Sequence, residues 1–196
     1  MNWRNYKYIG IGIVGLAFAF IAGTSFRNEK EEDQSNTFSS DGRIIYKWSP
    51  AQMPSSMNFA GEKTPLDRWE VEEAFDRELQ NNFFRHGNLV YILKLSNRFF
   101  PVIEPILKAN GVPDDFKYLC VAESSLQNLT SPAQAVGYWQ FLKATAIQYG
   151  LEVTDEVDER YHIEKSTDAA AKYLKAAYNK FGTWTAAAAS YNCGTG

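Results

Sequence analysis

Residues 116–125 read FKYLCVAESS, in which Phe116 and Leu119 fall on one face of an α-helix. A proline and two acidic residues at 113–115 favour a helix start at this point, because the fixed φ of proline and negative charge both suit a first helical turn. The next position on the apolar face is Glu123. Since a buried charge is costly unless it is paired or neutral, we predict a carboxyl with a raised pKa, suited to a general acid. The alternative is a structural Glu123 whose carboxyl is satisfied by a neighbouring donor.

A second segment begins at Ser131 with a Ser-Pro turn and continues into an apolar run. Gly137 in this run permits a positive φ or a close backbone approach. Gln140 lies among apolar residues, so its amide requires a buried partner. Further along, Tyr191 and Asn192 end an alanine-rich helix, whose small side chains favour close packing against a neighbour. The pattern therefore predicts a phenol and an amide that point into a cleft.

Three short motifs in this order resemble the goose-lysozyme-like lytic transglycosylases, whose catalytic unit is the SLT domain. The motifs are Glu123-Ser124, Gly137-Tyr138-Trp139-Gln140 and Ala189-Ser190-Tyr191-Asn192-Cys193-Gly194. Residues 157–160 and 164–167 resemble in particular the membrane-bound lytic transglycosylase D branch. The resemblance covers about residues 65–196 and departs from the family pattern at Ser190 and Cys193, where alanine is usual.

The resemblance implies an all-α, lysozyme-like fold of the goose type and an enzyme without a cofactor. Its substrate would be peptidoglycan glycan strands, cleaved at the β-1,4 bond between N-acetylmuramic acid and N-acetylglucosamine with formation of 1,6-anhydromuramic acid. In such enzymes one glutamate, here Glu123, acts first as the acid and then as the base. The residues expected to bind substrate or to support Glu123 are Ser131, Gly137, Gln140, Tyr191 and Asn192.

The sequence leaves the individual roles of these residues open. Gln140 holds either a substrate amide or the loop near Glu123. Tyr191 either donates a hydrogen bond to the Glu123 carboxylate or only packs. Asn192 either contacts sugar or caps its helix, and Ser131 either binds substrate or makes the turn.

Most glycosidases use two carboxylates, whereas only Glu123 occupies a convincing site here. Asp158 and Glu159 flank Arg160, and a structural cluster of salt bridges explains them better than catalysis does. A single carboxylate indicates help from the substrate. A lysozyme-like hydrolase and a non-catalytic peptidoglycan-binding protein stay open as alternatives.

Composition narrows the remaining function classes. The chain has 196 residues, 45% of them hydrophobic, which suits one modest globular domain. A net charge of −3 without a basic stripe argues against nucleic-acid binding. His86 and His162 are far apart and no zinc-ligand spacing is present, so no metal site is predicted. Whether Cys120 and Cys193 form a disulfide stays open, with two separate thiols favoured.

The N-terminus predicts a targeting segment. Arg4 and Lys7 precede an apolar stretch at residues 8–26, so residues 1–26 are a signal peptide or a membrane anchor, with cleavage left open. The positive charges predict a cytoplasmic N-terminus and a domain on the periplasmic side of the inner membrane, within the cell envelope.

The rest of the chain is predicted to hold a linker and one catalytic domain. Residues 27–64 are polar and rich in turn formers, which is typical of a linker, and residues 65–196 form the domain. Family catalytic domains continue beyond the Tyr-Asn motif, so the resemblance implies a domain that is incomplete at its C-terminus.

Hydrophobic spacing and helix-boundary residues predict six further helices. They cover residues 66–80, 88–99, 102–109 and 140–149, a helix capped by Ser166 or Thr167 that ends at Phe181, and a helix capped by Thr183. Pro101 is expected to break the second from the third. No strand pattern of useful length occurs after residue 64.

Overall fold

The computed structural model of the chain describes residues 37–38, 44–45, 51–83 and 86–194. The apolar segment at 8–26, predicted to be a signal peptide or an anchor, lies outside the described residues. Within the described residues, no helix is both long and apolar enough to cross a lipid bilayer.

Helices dominate the part of the chain that the structure describes. They are α1 (Trp69–Phe83), α2 (His86–Ala109), α3 (Lys117–Ser124), α4 (Lys143–Gln148), α5 (Ile163–Phe181) and α6 (Trp184–Cys193). Two 3₁₀ turns, Asp114–Phe116 and Glu159–Tyr161, precede α3 and α5. Two antiparallel hairpins pair β1 (Thr37–Phe38) with β2 (Ile44–Ile45) and β3 (Asn58–Phe59) with β4 (Glu62–Lys63). The predicted helical class is confirmed, and the goose-type detail stays a prediction.

One long helix, α2, replaces the two helices predicted on either side of Pro101, so that prediction was wrong. Pro101 and Pro105 both lie inside α2. Each proline removes a backbone hydrogen bond, at a cost of roughly 3 kcal/mol in a helix interior. Ile103 and Leu107 are fully buried in the half of the helix that contains the prolines. Packing of this half against the core, including α5, outweighs the local preference.

The start of α5 also differs from the prediction. The helix begins at Ile163 with His162 at its N-cap, three to four residues before Ser166 and Thr167. Both hydroxyls are fully buried and donate to backbone carbonyls of the preceding turn, Ser166 to His162 at 2.8 Å and Thr167 to Ile163 at 2.6 Å. Since a buried hydroxyl can bond the preceding turn, these residues fit a helix interior here instead of a cap.

The start of α6 agrees with the prediction. The Thr183 hydroxyl accepts a hydrogen bond from the N–H of Ala186 at 3.3 Å, and Gly182 ends α5 just before it with φ of 77°. The remaining shifts are small, since α1 begins at Trp69 and α4 at Lys143. Gln140 has φ of 50°, which excludes it from a helix.

The core lies where the long helices meet. α5 packs against α2 and α6, and α2 packs against α3. The largest fully buried side chains include Trp139, Phe116, Ile103, Leu107, Leu119, Leu126 and Leu174. Ala187 and Ala188 are buried on α6, where their small side chains allow the close packing that the sequence predicts. The helices that carry Glu123 and Asn192 are therefore both anchored in one core.

Part of the predicted linker contacts this core. Phe59, in β3, is only 2% exposed and its ring lies 5.1 Å from that of Phe116. Residues 27–50 of the linker lie mostly outside the described residues. The domain boundary at residue 65 stays a prediction, although residues 58–63 pack on the helices that follow it.

Candidate active site

Glu123 lies in the last turn of α3. Leu119 is 2% exposed and Cys120 is fully buried on the core side of this helix, and Glu123 is partly buried one turn further on. Burial raises the pKa of the Glu123 carboxyl from 4.5 to about 7, and a hydrogen bond from Asn192 opposes this rise. The structure therefore gives the carboxyl the elevated pKa that its place on the apolar face predicts.

Asn192 approaches this carboxyl from the last turn of α6. Its Nδ2 donates to Oε1 of Glu123 at 3.5 Å, a long hydrogen bond at the limit of useful geometry. At the end of α6, the Ser190 carbonyl already has a partner, because it accepts from the N–H of Gly194 at 2.8 Å. Asn192 is thus placed at the candidate catalytic group, a contact that the two roles predicted from sequence did not include.

Tyr191 supports the neighbouring chain segment. Its hydroxyl donates to the backbone carbonyl of Trp139 at 2.8 Å, so the structure gives it a different acceptor from the Glu123 carboxylate. Burial raises the pKa of the Tyr191 phenol well above its ordinary value, and the charge of Glu123 adds to this rise. The phenol is therefore close enough to sense Glu123 while it holds the backbone beside it.

Gln140 and Gly137 shape the loop between α3 and α4. The Gln140 amide donates to the carbonyls of Leu129 at 3.0 Å and Gly137 at 2.8 Å, which fits the predicted loop-holding role. Gly137 has φ of 83°, and a Cβ at this position would overlap the backbone carbonyl of Arg160. Both reasons for a glycine predicted from sequence are present at this position.

Two serines act on the same loop. The Ser131 hydroxyl accepts from the N–H of Ala135 at 3.0 Å, and its own N–H donates to the Ala135 carbonyl at 2.8 Å, so it makes the turn. Ser124 is buried, and its hydroxyl donates to the Tyr138 carbonyl at 2.8 Å. Ser124 therefore joins the loop to the helix that carries Glu123, and only its place beside Glu123 in the motif could have indicated this.

Arg160 ties the loop to the start of α5. Its guanidinium is nearly buried, pairs with Asp158 at 2.6 Å, and donates to the carbonyls of Phe141 at 3.1 Å and Gln134 at 3.3 Å. The hydrogen bond from Arg160 holds the pKa of Asp158 below its usual range. The predicted structural role of Asp158 is confirmed, since it pairs with Arg160 and accepts from the Arg160 N–H, whereas Glu159 pairs with Lys165 and not with Arg160.

The described ionisable groups that respond to the charge of Glu123 include a thiol and a phenol. Burial raises the pKa of Cys120 well above its usual value, and the charge of Glu123 raises it further, as it does for Tyr191. Cys120 is buried and Cys193 is exposed, and both are free thiols. Among the residues that the structure describes, no group of three or more His, Cys, Asp or Glu side chains could hold a metal ion.

This arrangement can transfer protons in both directions. A carboxyl with a pKa of about 7 is present in both protonation states near neutral pH, which suits an acid that becomes a base within one cycle. Its backbone is fixed by α3, and the loop beside it is fixed by Gln140, Ser124 and Arg160. The site therefore provides one positioned proton carrier.

Comparisons with known proteins support this class of fold. A family model described as Transglycosylase SLT domain matches residues 100–196. It is also similar to proteins named Membrane-bound lytic murein transglycosylase D from Escherichia coli strain K12 and from Escherichia coli O6:H1. The identity to each is 29% over 123 residues, which is 61% of this chain and 27% of the relative. The predicted family is confirmed, and the chain spans just over a quarter of the length of these relatives.

Proposed function

We propose that this chain carries the catalytic centre of a peptidoglycan lytic transglycosylase, with Glu123 as its single general acid and base. The observation that carries the proposal is the partly buried Glu123 carboxyl, whose pKa is raised to about 7 at the meeting point of α3 and α6. The match to the SLT domain family and the name of the relatives, lytic murein transglycosylase, support the same reaction class.

The reaction begins with a proton transfer from Glu123. The protonated carboxyl gives its proton to the glycosidic oxygen that leaves with N-acetylglucosamine, and the bond from this oxygen to C1 of N-acetylmuramic acid breaks. The positive charge that develops at C1 is stabilised by the N-acetyl group of the muramoyl unit itself. The carboxylate that results on Glu123 is then ready to act as a base.

The second step regenerates the enzyme. The Glu123 carboxylate takes the proton from the muramoyl 6-hydroxyl, and the 6-oxygen attacks C1 to form the 1,6-anhydro ring. Glu123 is protonated again, and no water is consumed. A pKa of about 7 serves both steps, because neither protonation state is strongly favoured at neutral pH.

A substrate that takes part in the reaction is consistent with a site that provides a single catalytic carboxylate. Glycosidases that hold two catalytic carboxylates place the second one across the scissile bond from the first. Asp158 and Glu159, the alternatives weighed from the sequence, are paired with Arg160 and Lys165 respectively. The groups that sense the charge of Glu123, Cys120 and Tyr191, are not carboxylates. The second catalytic role in this proposal therefore falls to the substrate.

The other predicted residues receive supporting roles. Asn192 donates to Glu123 and stabilises its carboxylate form between the two proton transfers. Ser131, Gly137, Gln140 and Tyr191 hold the loop at 129–141 as one wall of the substrate cleft. The partner is the peptidoglycan glycan strand, with no cofactor and no nucleic acid.

The substrate sets the location in this proposal. Peptidoglycan lies in the cell envelope, so the domain works on the periplasmic side of the inner membrane. Residues 1–26 either anchor it to this membrane or are cleaved off as a signal peptide. The words membrane-bound in the names of the relatives are compatible with this location.

Mass spectrometry of digested peptidoglycan tests the function. The chain, alone and with any native residues that follow position 196, is incubated with purified sacculi beside Glu123→Gln and beside Glu73→Gln, an exposed α1 glutamate that serves as the matched control. Anhydromuramoyl products from the parent and from Glu73→Gln, but not from Glu123→Gln, are expected.

Two other outcomes would redirect the proposal. Products heavier by one water, with reducing ends, would identify a lysozyme-like hydrolase. Binding to sacculi without any product, unchanged in Glu123→Gln, would identify a peptidoglycan-binding protein.

A further inference from the structure

The β3–β4 hairpin has an unfavourable turn for its sequence. Ala60 and Gly61 form the turn with φ of 55° and 80°. Positive φ at both central positions is typical of a type I′ hairpin turn, in which asparagine or glycine is preferred over alanine. A residue in such a conformation persists only where its surroundings hold it, so the contacts of this hairpin are informative.

One set of contacts joins the hairpin to the start of the Glu123 helix. The N–H of Ala60 donates to Oδ2 of Asp115 at 2.6 Å, and Asp115 lies in the 3₁₀ turn that leads into α3. The Phe59 ring packs edge-on against Phe116 in the same turn, with centroids 5.1 Å apart. The hairpin is thus fixed to the N-terminal end of this helix through one strong hydrogen bond and one buried ring.

A second set joins the hairpin to the start of the Asn192 helix. The Glu62 carboxylate accepts from the N–H groups of Trp184 at 2.6 Å and Thr185 at 2.8 Å, and from the Thr185 hydroxyl at 2.6 Å. These are the first N–H groups of α6, which have no partner within the helix. Burial raises the pKa of Glu62, but these hydrogen bonds outweigh it and the pKa lies below its ordinary value. A carboxylate more than 120 residues away in sequence therefore caps α6.

The two helices meet at both of their ends. At the N-terminal ends the rings of Phe116 and Trp184 are 5.4 Å apart, and at the C-terminal ends Asn192 donates to Glu123 at 3.5 Å. Each functional residue follows its hairpin contact by eight positions, Glu123 after Asp115 and Asn192 after Trp184. This corresponds to about 12 Å of helix in both cases. The hairpin and the Glu123 carboxyl thus lie at opposite ends of the same two helices.

We propose that Glu62 is a positioning residue of the active site, which sets the separation of α3 and α6 and thereby the contact between Asn192 and Glu123. The inference rests on the proposed function because it takes Glu123 to be catalytic. The contacts of the hairpin with α3 and α6 do not depend on the substrate. Since the Asn192 contact is already at the limit of hydrogen-bond distance, a small displacement of α6 breaks it.

Loss of Glu62 is therefore expected to change the pKa of Glu123. The hydrogen bond from Asn192 lowers the pKa of Glu123, so a displaced Asn192 lets this pKa rise. Among the described residues, the titratable groups that respond to the charge of Glu123 include Cys120 on α3 and Tyr191 on α6, and burial raises the pKa of both. Both are therefore neutral across the titration of Glu123.

The experiment uses Glu62→Gln in the full chain, held in detergent, with Glu73→Gln as the matched control. The carboxyl ¹³C shift of Glu123, assigned by its loss in Glu123→Gln, is followed as a function of pH. We expect the Glu123 midpoint to rise above that of the parent in Glu62→Gln and to stay unchanged in Glu73→Gln. On peptidoglycan, kcat falls at least about threefold at an unchanged KM, because positioning and not binding is affected.

A milder variant keeps the test possible if Glu62→Gln does not fold. Thr185→Val removes one of the three donors to Glu62 and keeps both backbone N–H groups, so a smaller shift of the Glu123 midpoint in the same direction is expected. Folded Glu62→Gln and Thr185→Val proteins with the parent midpoint and kcat, and only a lower Tm, would overturn the proposal. If no peptidoglycan is cleaved by the parent, the proposed function fails, and the Glu123 titration still decides the role of Glu62.

Discussion

At the scale of single residues, the protonation of Glu123 is coupled to folding. Its pKa is 4.5 as an unperturbed side chain and about 7 in the folded protein, because burial disfavours its charge. The folded state therefore binds the proton more tightly than the unfolded state between these values. The favourable contribution of the neutral carboxyl is complete below about pH 4.5 and is lost as the pH rises through about 7.

Glu123→Gln is accordingly expected to stabilise the protein above about pH 4.5, by an amount that grows as the pH rises to about 7. A neutral amide avoids the cost of a buried charge, which amounts to at most about 3 kcal/mol at pH 8 for a shift of this size. Urea unfolding at pH 4 and pH 8 measures the free energy of unfolding. The variant should exceed the parent by about 1–3 kcal/mol at pH 8 and match it within about 0.5 kcal/mol at pH 4. An equal effect at both pH values would contradict a raised pKa.

Asn192→Ala tests the partner of this carboxyl. Without the amide the pKa of Glu123 rises, because the hydrogen bond that favours the carboxylate is lost. In the proposed mechanism the alkaline limb of the pH–rate profile reports the loss of the Glu123 proton, so this limb should move to higher pH. We expect kcat to fall about fivefold at neutral pH, since a hydrogen bond to the carboxylate is worth about 1 kcal/mol. A limb at the parent position would show that Asn192 does not act on Glu123.

At the scale of elements, the loop at 129–141 depends on a close approach of two backbones. Gly137 has φ of 83° and faces the Arg160 carbonyl, whereas Gly150 has φ of 92° with open space where a Cβ would be. Both glycines have a backbone conformation that is unfavourable for other residues, but only Gly137 lacks the space for a Cβ. They therefore form a matched pair.

Gly137→Ala should cost considerably more than Gly150→Ala. A positive φ alone costs alanine roughly 1–2 kcal/mol, and the overlap with Arg160 adds to this. We expect a loss of about 3 kcal/mol or more in the free energy of unfolding for Gly137→Ala and about 1–2 kcal/mol for Gly150→Ala. Denaturant unfolding of both variants measures the difference. Equal losses would mean that the loop can move away from Arg160.

The helices also show which features of the fold local sequence patterns predict and which they do not. The helix that carries Glu123 was predictable because Leu119, Cys120 and Glu123 lie within a few residues of each other and their spacing alone defines the buried face. The continuity of α2 through Pro101 was not, because it depends on tertiary packing that outweighs a local penalty. The start of α5 was misplaced because Ser and Thr are typical cap residues, whereas here their buried hydroxyls donate to carbonyls of the preceding turn.

At the scale of the whole molecule, the contacts that complete the site join distant parts of the chain. Asn192 reaches Glu123 across 69 residues, and Glu62 reaches α6 across more than 120. No periodicity or motif spacing encodes such pairs, so the sequence indicated the residues of the site but not their hydrogen bonds. The resemblance to a family placed Asn192 near the cleft, while Glu62 lay in a segment whose polar composition indicated a linker.

Arg160 joins a local ion pair to longer-range contacts, since it pairs with Asp158 two residues away and donates to carbonyls 19 and 26 residues away. It is nearly buried and joins Asp158 to the carbonyls of the loop beside Glu123. Removal of one partner from a buried pair leaves the other charge uncompensated, at a cost of about 3–5 kcal/mol. The exposed pair of Lys172 and Asp168 on α5 provides the comparison, because such pairs contribute less than about 1 kcal/mol.

Asp158→Asn should therefore lower the free energy of unfolding by about 3 kcal/mol at pH 7, and Lys172→Gln by less than about 1 kcal/mol. The sign of the pH dependence follows from the lowered pKa of Asp158, whose contribution is present above its unfolded pKa and is lost as the pH falls through its folded pKa. Urea unfolding at pH 7 and at pH 3 should thus show the difference between Asp158→Asn and the parent shrinking in acid. A difference that stays constant down to pH 3 would mean that the loss comes from packing around Arg160 and not from the ion pair.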